Sequence, residues 1–323
     1  MKAVVLDGYS LNPGDLSWKA LEDICETVIY DRTSYDTANL ELITQRIGDA
    51  EIVYTNKTPL PQAVIDAAPK LKFIGVLATG YNVVDIAAAQ KRNMTVTNIP
   101  TYGTDSVAQM AIALLLEMCH HIGEHNRSVQ TGEWEHNVDW CFWNYPLIEL
   151  AGKTIGIIGF GRIGQTVGRI AQTLGMKVLA FDKYKMLELE SDTLKYAALD
   201  EIFAAADVIS LHCPLFKETE GMINTRNINK MKHGVMIINN SRGGLIVEQD
   251  LAQALEIGQV AGAALDVVST EPIRHDNPLL GAKNCIITPH ISWAPKESRQ
   301  RLLAIAIDNL RHFIDKKPIN VVS

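Results

Sequence analysis

The chain is poor in the residues that would place it in several large classes. Its five cysteines, Cys25, Cys119, Cys141, Cys213 and Cys285, are odd in number and scattered, with no C-x-x-C pair. That pattern excludes a disulfide framework and a structural zinc knuckle, leaves no metal site to name, and points to a reducing cytoplasm. Basic residues are neither abundant nor clustered: 30 Lys and Arg stand against 37 Asp and Glu, a net charge of −7. A nucleic-acid footprint needs a positive patch, so no nucleic-acid partner is expected. No apolar stretch reaches the ~18 residues of a membrane span, so no membrane partner is expected either. The opening MKAVVLDGYS meets Asp7 after a short apolar run and does not read as a signal peptide. Low-complexity segments and short internal repeats are missing as well. What is present, 47% hydrophobic and 21% charged residues in 323, is ordinary globular composition. At roughly 150 residues per domain, the length predicts two domains.

Short β-branched runs alternate with helical spacing from the start. Val4–Leu6, Thr27–Tyr30, Ile52–Tyr54 and Phe73–Val76 read as strands, separated by helical stretches such as Leu40, Ile43 and Ile47. A second alternation begins at Gly152, with strands at Thr154–Ile158, Lys177–Phe181, Asp207–Leu211, Val235–Asn239, Ala261–Leu265 and Cys285–Ile287. The fold class is therefore α/β, with two doubly wound parallel-sheet domains. The first is discontinuous, residues 1–101 and 292–323, and the second, 102–291, is inserted within it. A helix from about Ser106 to Ile122 is apolar nearly all round and should be buried. The stretch 132–146 carries Trp134, Trp140, Phe142, Trp143 and Tyr145, too much ring surface for a solvated loop. It reads as an arm that grips a second copy, giving a homodimer.

Gly159-Phe160-Gly161-Arg162-Ile163-Gly164 follows a strand and opens a helix, which is the context a G-x-G-x-x-G motif requires. Gly159 permits the tight turn, Gly161 lets backbone approach a pyrophosphate, and Gly164 lets helix and strand pack closely. The helix N-terminus, at Arg162 and Ile163, offers unpaired N–H groups to phosphate. Asp182, at the end of the next strand, sits where a ribose-binding carboxylate belongs and disfavours a 2′-phosphate. The cofactor is thus expected to be NAD rather than NADP, though Lys183 and Lys185 lie close by. The second domain is then a Rossmann NAD-binding domain.

Three polar features follow strand ends downstream: Asn240-Ser241-Arg242, Asp266 through Glu271-Pro272, and Thr288-Pro289-His290. Together they supply an arginine, a carboxylate and a histidine beside a nicotinamide, the groups that reduction of a ketone needs. With these residues, the stretch His212-Cys213-Pro214 and Asn98-Ile99-Pro100-Thr101-Tyr102-Gly103-Thr104, the chain resembles the D-isomer-specific 2-hydroxyacid dehydrogenase family over essentially its whole length. Within the family, Phe142–Pro146 and His290–Ala294 are most similar to the glycerate dehydrogenase, or hydroxypyruvate reductase, branch.

The resemblance implies a flavodoxin-like substrate-binding first domain and a small-molecule 2-keto or 2-hydroxy acid substrate. It makes His290 the proton donor to the keto oxygen, Glu271 the partner that orients it, and Arg242 the cation that grips the substrate carboxylate. Ala78, Thr79 and Gly80 match the family's carboxylate-binding loop. Thr104, Asn240, Ser241 and Asp266 join the cofactor set, and His212, Cys213 and Pro214 wall the adenine side. Trp293 would place a broad ring near the substrate, favouring hydroxypyruvate or glyoxylate over branched acids. Gln109 departs from the Glu of many relatives. A D-lactate-type activity and a non-enzymatic NAD-sensing corepressor are the alternative readings.

Overall fold

The computed structural model describes residues 1–323. The chain divides into two compact units, Met1–Gly103 with Trp293–Ser323, and Thr104–Ser292. In the first, strands β1 (Lys2–Val5), β2 (Glu26–Ile29), β3 (Ile52–Thr55), β4 (Phe73–Val76) and β5 (Thr95–Thr97) form one parallel sheet of order β2-β1-β3-β4-β5. Successive residues of a strand point to opposite faces, and two cores show the alternation. Val4, Val53, Ile74 and Val96 meet the helices Leu40–Ile47, Gln62–Ala67 and Ile86–Lys91 on one side. Ala3, Val5, Ile52, Tyr54 and Phe73 meet Leu302, Leu303, Ala306, Ile307 and Leu310 of the helix Lys296–Ile314 on the other. Burial on both faces is why these strands read as unbroken apolar runs. This sheet has the flavodoxin-like order.

The second unit holds β6 (Thr154–Ile158), β7 (Lys177–Phe181), β8 (Leu194–Tyr196), β9 (Val208–Leu211), β10 (Val235–Asn239), β11 (Val260–Leu265) and β12 (Cys285–Ile287). They form a parallel sheet of order β12-β11-β10-β9-β6-β7-β8, so the strand order reverses between β6 and β9. That reversal opens a crevice at the carboxyl ends of the strands, where open α/β sheets of the Rossmann type bind their ligands.

Two strands, β5 (Thr-Val-Thr) and β8 (Leu-Lys-Tyr), escape the sequence reading because neither is an apolar run. The long apolar helix runs over Thr104–His120 and buries Ala108, Ala111, Leu114, Leu115 and Cys119 within its unit. It ends two residues earlier than its composition predicts, because His121 takes the left-handed conformation (φ 47°), and a polar helix, Ile122–Gln130, follows. No single helix is long and apolar enough to cross a membrane. The aromatic stretch after Gln130 is partly tied down. Tyr145 stacks on His121 at 4.5 Å between ring centres, and Trp134 Nε1 donates to the Trp140 carbonyl at 2.9 Å. Trp140 and Trp143 nevertheless remain 87% and 64% exposed.

At the end of β9, His212 donates its N–H to the Ile158 carbonyl and pairs its Nε2 with Ser210 Oγ at 2.8 Å. Burial holds its imidazole down at about 4, against an ordinary 6.5. Above 6.5 the imidazole is neutral in the folded and unfolded chain alike, and contributes nothing to the pH dependence. As pH falls through 6.5 the unfolded chain gains a proton that the folded one refuses, so stability is lost until about 4. The wild type should therefore lose about 2 kcal/mol more than His212→Asn between pH 7.5 and pH 5, in chemical denaturation at both values. Equal losses would show that His212 titrates freely in the fold.

Candidate active site

Strand β6 runs into Gly159, whose φ of +94° turns the chain sharply. A Cβ on Gly159 would lie 2.4 Å from Cys213 N and 2.5 Å from the His212 carbonyl carbon, so the ends of β6 and β9 meet only because that atom is absent. Gly164 is equally constrained, since a Cβ there would lie 2.2 Å from the Gly159 carbonyl oxygen. Gly161 differs: it caps the helix Arg162–Thr173, and a Cβ on it would meet no atom within 4 Å. The space in front of that cap is open, and the first-turn N–H groups of Arg162, Ile163 and Gly164 have no carbonyl one turn back to bond.

Asp182, just beyond β7, faces the same turn. One carboxylate oxygen accepts from Phe160 N at 2.8 Å and the other from Tyr184 N at 3.0 Å. Each oxygen keeps a lone pair for a further donor, which suits a pair of ribose hydroxyls. The cradle, the helix N-terminus and the held carboxylate fit an NAD molecule. Thr104 opens the helix Thr104–His120 in the same unit. Cys213 is buried, and burial pushes its thiol up to about 11, which leaves it an apolar wall rather than a nucleophile. Pro214, next to it, is exposed.

The turn after β10 carries the arginine. Asn239, fully buried, accepts from Ser241 N and donates to the Arg242 carbonyl at 2.8 Å. Ser241 Oγ donates to the Cys213 carbonyl at 2.6 Å, and Asn240 Nδ2 donates to the Val107 carbonyl at 2.8 Å. The other amide atom, Asn240 Oδ1, is a buried acceptor with no partner in the chain. The Arg242 side chain is exposed, donates to its own neighbour Ser241 and pairs with no carboxylate. Beside it, a Cβ on Gly243 would fall 2.0 Å from the Val268 carbonyl, so the arginine turn is pressed against the loop after β11.

That loop carries Glu271, whose Oε2 lies 2.7 Å from His290 Nδ1 and whose Oε1 accepts from Val268 N. The bond assigns the Nδ1 proton to the glutamate side and leaves Nε2 facing away from its partner. Both side chains are about a third exposed. His290 sits at φ 55°, a left-handed conformation that costs a non-glycine residue energy and that functional sites retain. Asp266, 1% exposed, holds it there, accepting from Thr288 Oγ1 at 2.6 Å, Ile291 N at 2.9 Å and Ser292 N at 2.7 Å. Three donors on two oxygens leave one acceptor position unused. The contributions of Asn239, Thr288 and Gly243 were not read from the sequence as site roles. Only Asn239 carried a signal, an Asx residue at a strand end before a serine.

In the other unit, Ala78, Thr79 and Gly80 follow β4. Their N–H groups bond to no carbonyl or side chain in the chain, while Thr79 Oγ1 donates to the Ile99 carbonyl at 2.7 Å. Trp293 is partly buried, edge-on to Tyr102 with ring centres 6.4 Å apart.

Residues 112–292 match the family model described as D-isomer specific 2-hydroxyacid dehydrogenase, NAD binding domain. The chain is 65% identical to a hydroxypyruvate reductase of Blautia hydrogenotrophica over the full length of both. It is 40% identical to a glycerate dehydrogenase of Methylorubrum extorquens, over 87% of this chain and 88% of that one. Its fold superimposes on the apo structure of D-lactate dehydrogenase from Escherichia coli with a TM-score of 0.83 and 28% identity, covering all of both chains. The chain belongs to the D-isomer-specific 2-hydroxyacid dehydrogenase family, as an NAD-dependent enzyme that interconverts 2-keto acids and D-2-hydroxy acids.

Proposed function

We propose that the enzyme reduces a small, unbranched 2-keto acid, hydroxypyruvate first and glyoxylate second, and that His290 delivers the proton. The observation that carries the reading is the 2.7 Å bond between His290 Nδ1 and Glu271. It commits Nδ1 and orients the ring, so Nε2–H is the proton that can leave. Bound NADH supplies hydride to the keto carbon. As negative charge grows on the keto oxygen, His290 gives up its Nε2 proton and ends neutral, while Glu271 stays a carboxylate throughout. Arg242, with no carboxylate partner in the chain, takes the substrate carboxylate and polarises the carbonyl, a task for a planar cation with two parallel donors. The free N–H groups of Ala78, Thr79 and Gly80 are further donors suited to a carboxylate. Asp266 offers its remaining acceptor position to the nicotinamide carboxamide. Trp293 limits the side chain beyond the keto carbon, and its indole N–H suits a small hydroxyl. The names of the two full-length or near-full-length relatives, hydroxypyruvate reductase and glycerate dehydrogenase, support the same substrate.

Following NADH oxidation with a panel of acids tests the reading. kcat/KM should fall in the order hydroxypyruvate, glyoxylate, pyruvate, 2-ketoisocaproate, and His290→Asn should lower kcat by about 10²–10⁴ with NADH affinity kept. A preference for 2-ketoisocaproate or phenylpyruvate would overturn the substrate assignment. A His290→Asn enzyme of wild-type kcat would overturn the proton donor.

Asp182 is proposed to bind the adenosine ribose. Asp182→Ala should weaken NADH by about 10- to 100-fold and narrow its advantage over NADPH, as titrations of both nucleotides would report. If the wild type favours NADPH, the role is misassigned.

A homodimer is proposed as the working assembly, on the exposed rings of Trp140 and Trp143. The helix Thr104–His120 adds little to that surface, since its apolar face is already covered inside its own unit. Light scattering at micromolar concentration should give a dimer for the wild type and a smaller species for the Trp140→Ser, Trp143→Ser double variant. A wild type that is monomeric throughout would remove the proposal.

A further inference from the structure

The helix Lys296–Ile314 buries an apolar stripe of Leu302, Leu303, Ala306, Ile307 and Leu310, and in that stripe stands one amide, Asn309, with no exposed surface. A buried amide is costly unless bonded, so its partners carry the information. Asn309 Oδ1 accepts from Asn320 Nδ2 at 2.8 Å, and Asn309 Nδ2 donates to the Asn98 carbonyl at 3.1 Å. The ring closes where Asn98 N donates to the Asn320 carbonyl at 3.2 Å. Asn320 itself takes the left-handed conformation, and the residues after it run along β5, with Val322 N donating to the Val96 carbonyl. Three asparagines thus clamp the backbone just past β5, inside the motif Asn98–Thr104 that no step of the chemistry above employs.

The clamped segment has a clear outlet. Asn98 Nδ2 donates to the Thr79 carbonyl at 2.8 Å, and the next residue, Ile99, donates its N–H to the Ala78 carbonyl at 3.0 Å. In a trans peptide the C=O of one residue and the N–H of the next point in opposite directions. Tying the carbonyls of Ala78 and Thr79 to one neighbouring segment therefore turns the N–H groups of Thr79 and Gly80 away from it, side by side. Neither has a partner in the chain. Adjacent N–H groups facing one way form a concavity that receives an anion.

We propose that Asn98, braced by Asn309 and Asn320, is a positioning residue for the substrate carboxylate: its Nδ2 holds the Thr79 carbonyl and so orients the Gly80 N–H, beside the Thr79 N–H that Ile99 N orients through the Ala78 carbonyl. The inference rests on the proposed role of the loop Ala78–Gly80. It adds a specificity determinant that touches no substrate, and it predicts a defect confined to the charged end of the ligand.

The test compares a 2-keto acid with its methyl ester, which keeps the ketone and lacks the charge. Asn98→Ala should raise KM for the acid about tenfold and leave kcat within about threefold. Its effect on the ester should be small, so the acid-to-ester ratio of kcat/KM shrinks by about the same tenfold. NADH affinity and thermal midpoint should stay near wild type. Asn309→Leu, which removes the brace and keeps the branching of the side chain, should shift the ratio in the same direction; if that variant does not fold, Asn98→Ala and Asn98→Asp carry the test alone. An unchanged ratio, or equal loss on acid and ester, would overturn the positioning role while leaving the enzyme's function standing. A wild type that reduces no 2-keto acid would overturn both.

Discussion

In an all-parallel sheet every chain leaves the carboxyl edge into a loop, and the first N–H groups of that loop have no neighbouring strand to bond. This chain meets that constraint with aspartates placed just past strand ends. Asp7, after β1, accepts from Asn56 N, Lys57 N and Thr58 N, each at 2.7 Å, and so gathers the loop that follows β3. Asp182, after β7, reaches back to Phe160 N in the glycine turn after β6. Asp266, after β11, collects the turn after β12. In each case a carboxylate from one strand end orders the loop of its sheet neighbour, and the charge-assisted bonds formed are stronger than neutral ones.

The consequence for chemistry is that donors are divided into spent and unspent ones. N–H groups that shape a loop are consumed by an internal carboxylate or carbonyl. Those at the first turn after Gly161 and at Thr79 and Gly80 bond to nothing in the chain. The same economy governs His290: Nδ1 is committed to Glu271, while Nε2 stays uncommitted. Rigidity comes from close backbone approach as much as from hydrogen bonds. Gly243 against the Val268 carbonyl brings the arginine turn and the glutamate loop together with no room for one methyl group.

Much of this was legible in the sequence, for identifiable reasons. The strands β4, β6 and β10 match their apolar runs because burial on both faces demands unbroken apolar sequence. The glycine fingerprint was legible because three glycines, a helix and an acidic residue at fixed offsets serve one local structure. Arg242, Glu271 and His290 could be named because each follows a strand end, but their mutual distances could not, since they depend on strand order. The roles of Asp266 and Asn309 were hidden for the same reason. Asn309 interrupts an apolar period like any surface amide, and its partner Asn98 lies 211 residues away. The break at His121 was hidden because a left-handed histidine leaves no compositional trace.

That separation sets an order of events during synthesis. The first unit is opened by residues 1–103 and finished only by Trp293–Ser323. At roughly 5–20 residues per second, about ten to forty seconds pass between the emergence of Asn98 and that of Asn309, from the ribosome. The intervening residues, Thr104–Ser292, carry their own core. All residues of the NAD-binding unit are therefore synthesised before the first unit can be finished. The loop Ala78–Gly80, tied to Asn98 and Ile99, lacks the asparagine brace until Asn309 and Asn320 arrive, so a polypeptide released short of Asn320 has one complete core and leaves the other unit's clamp open.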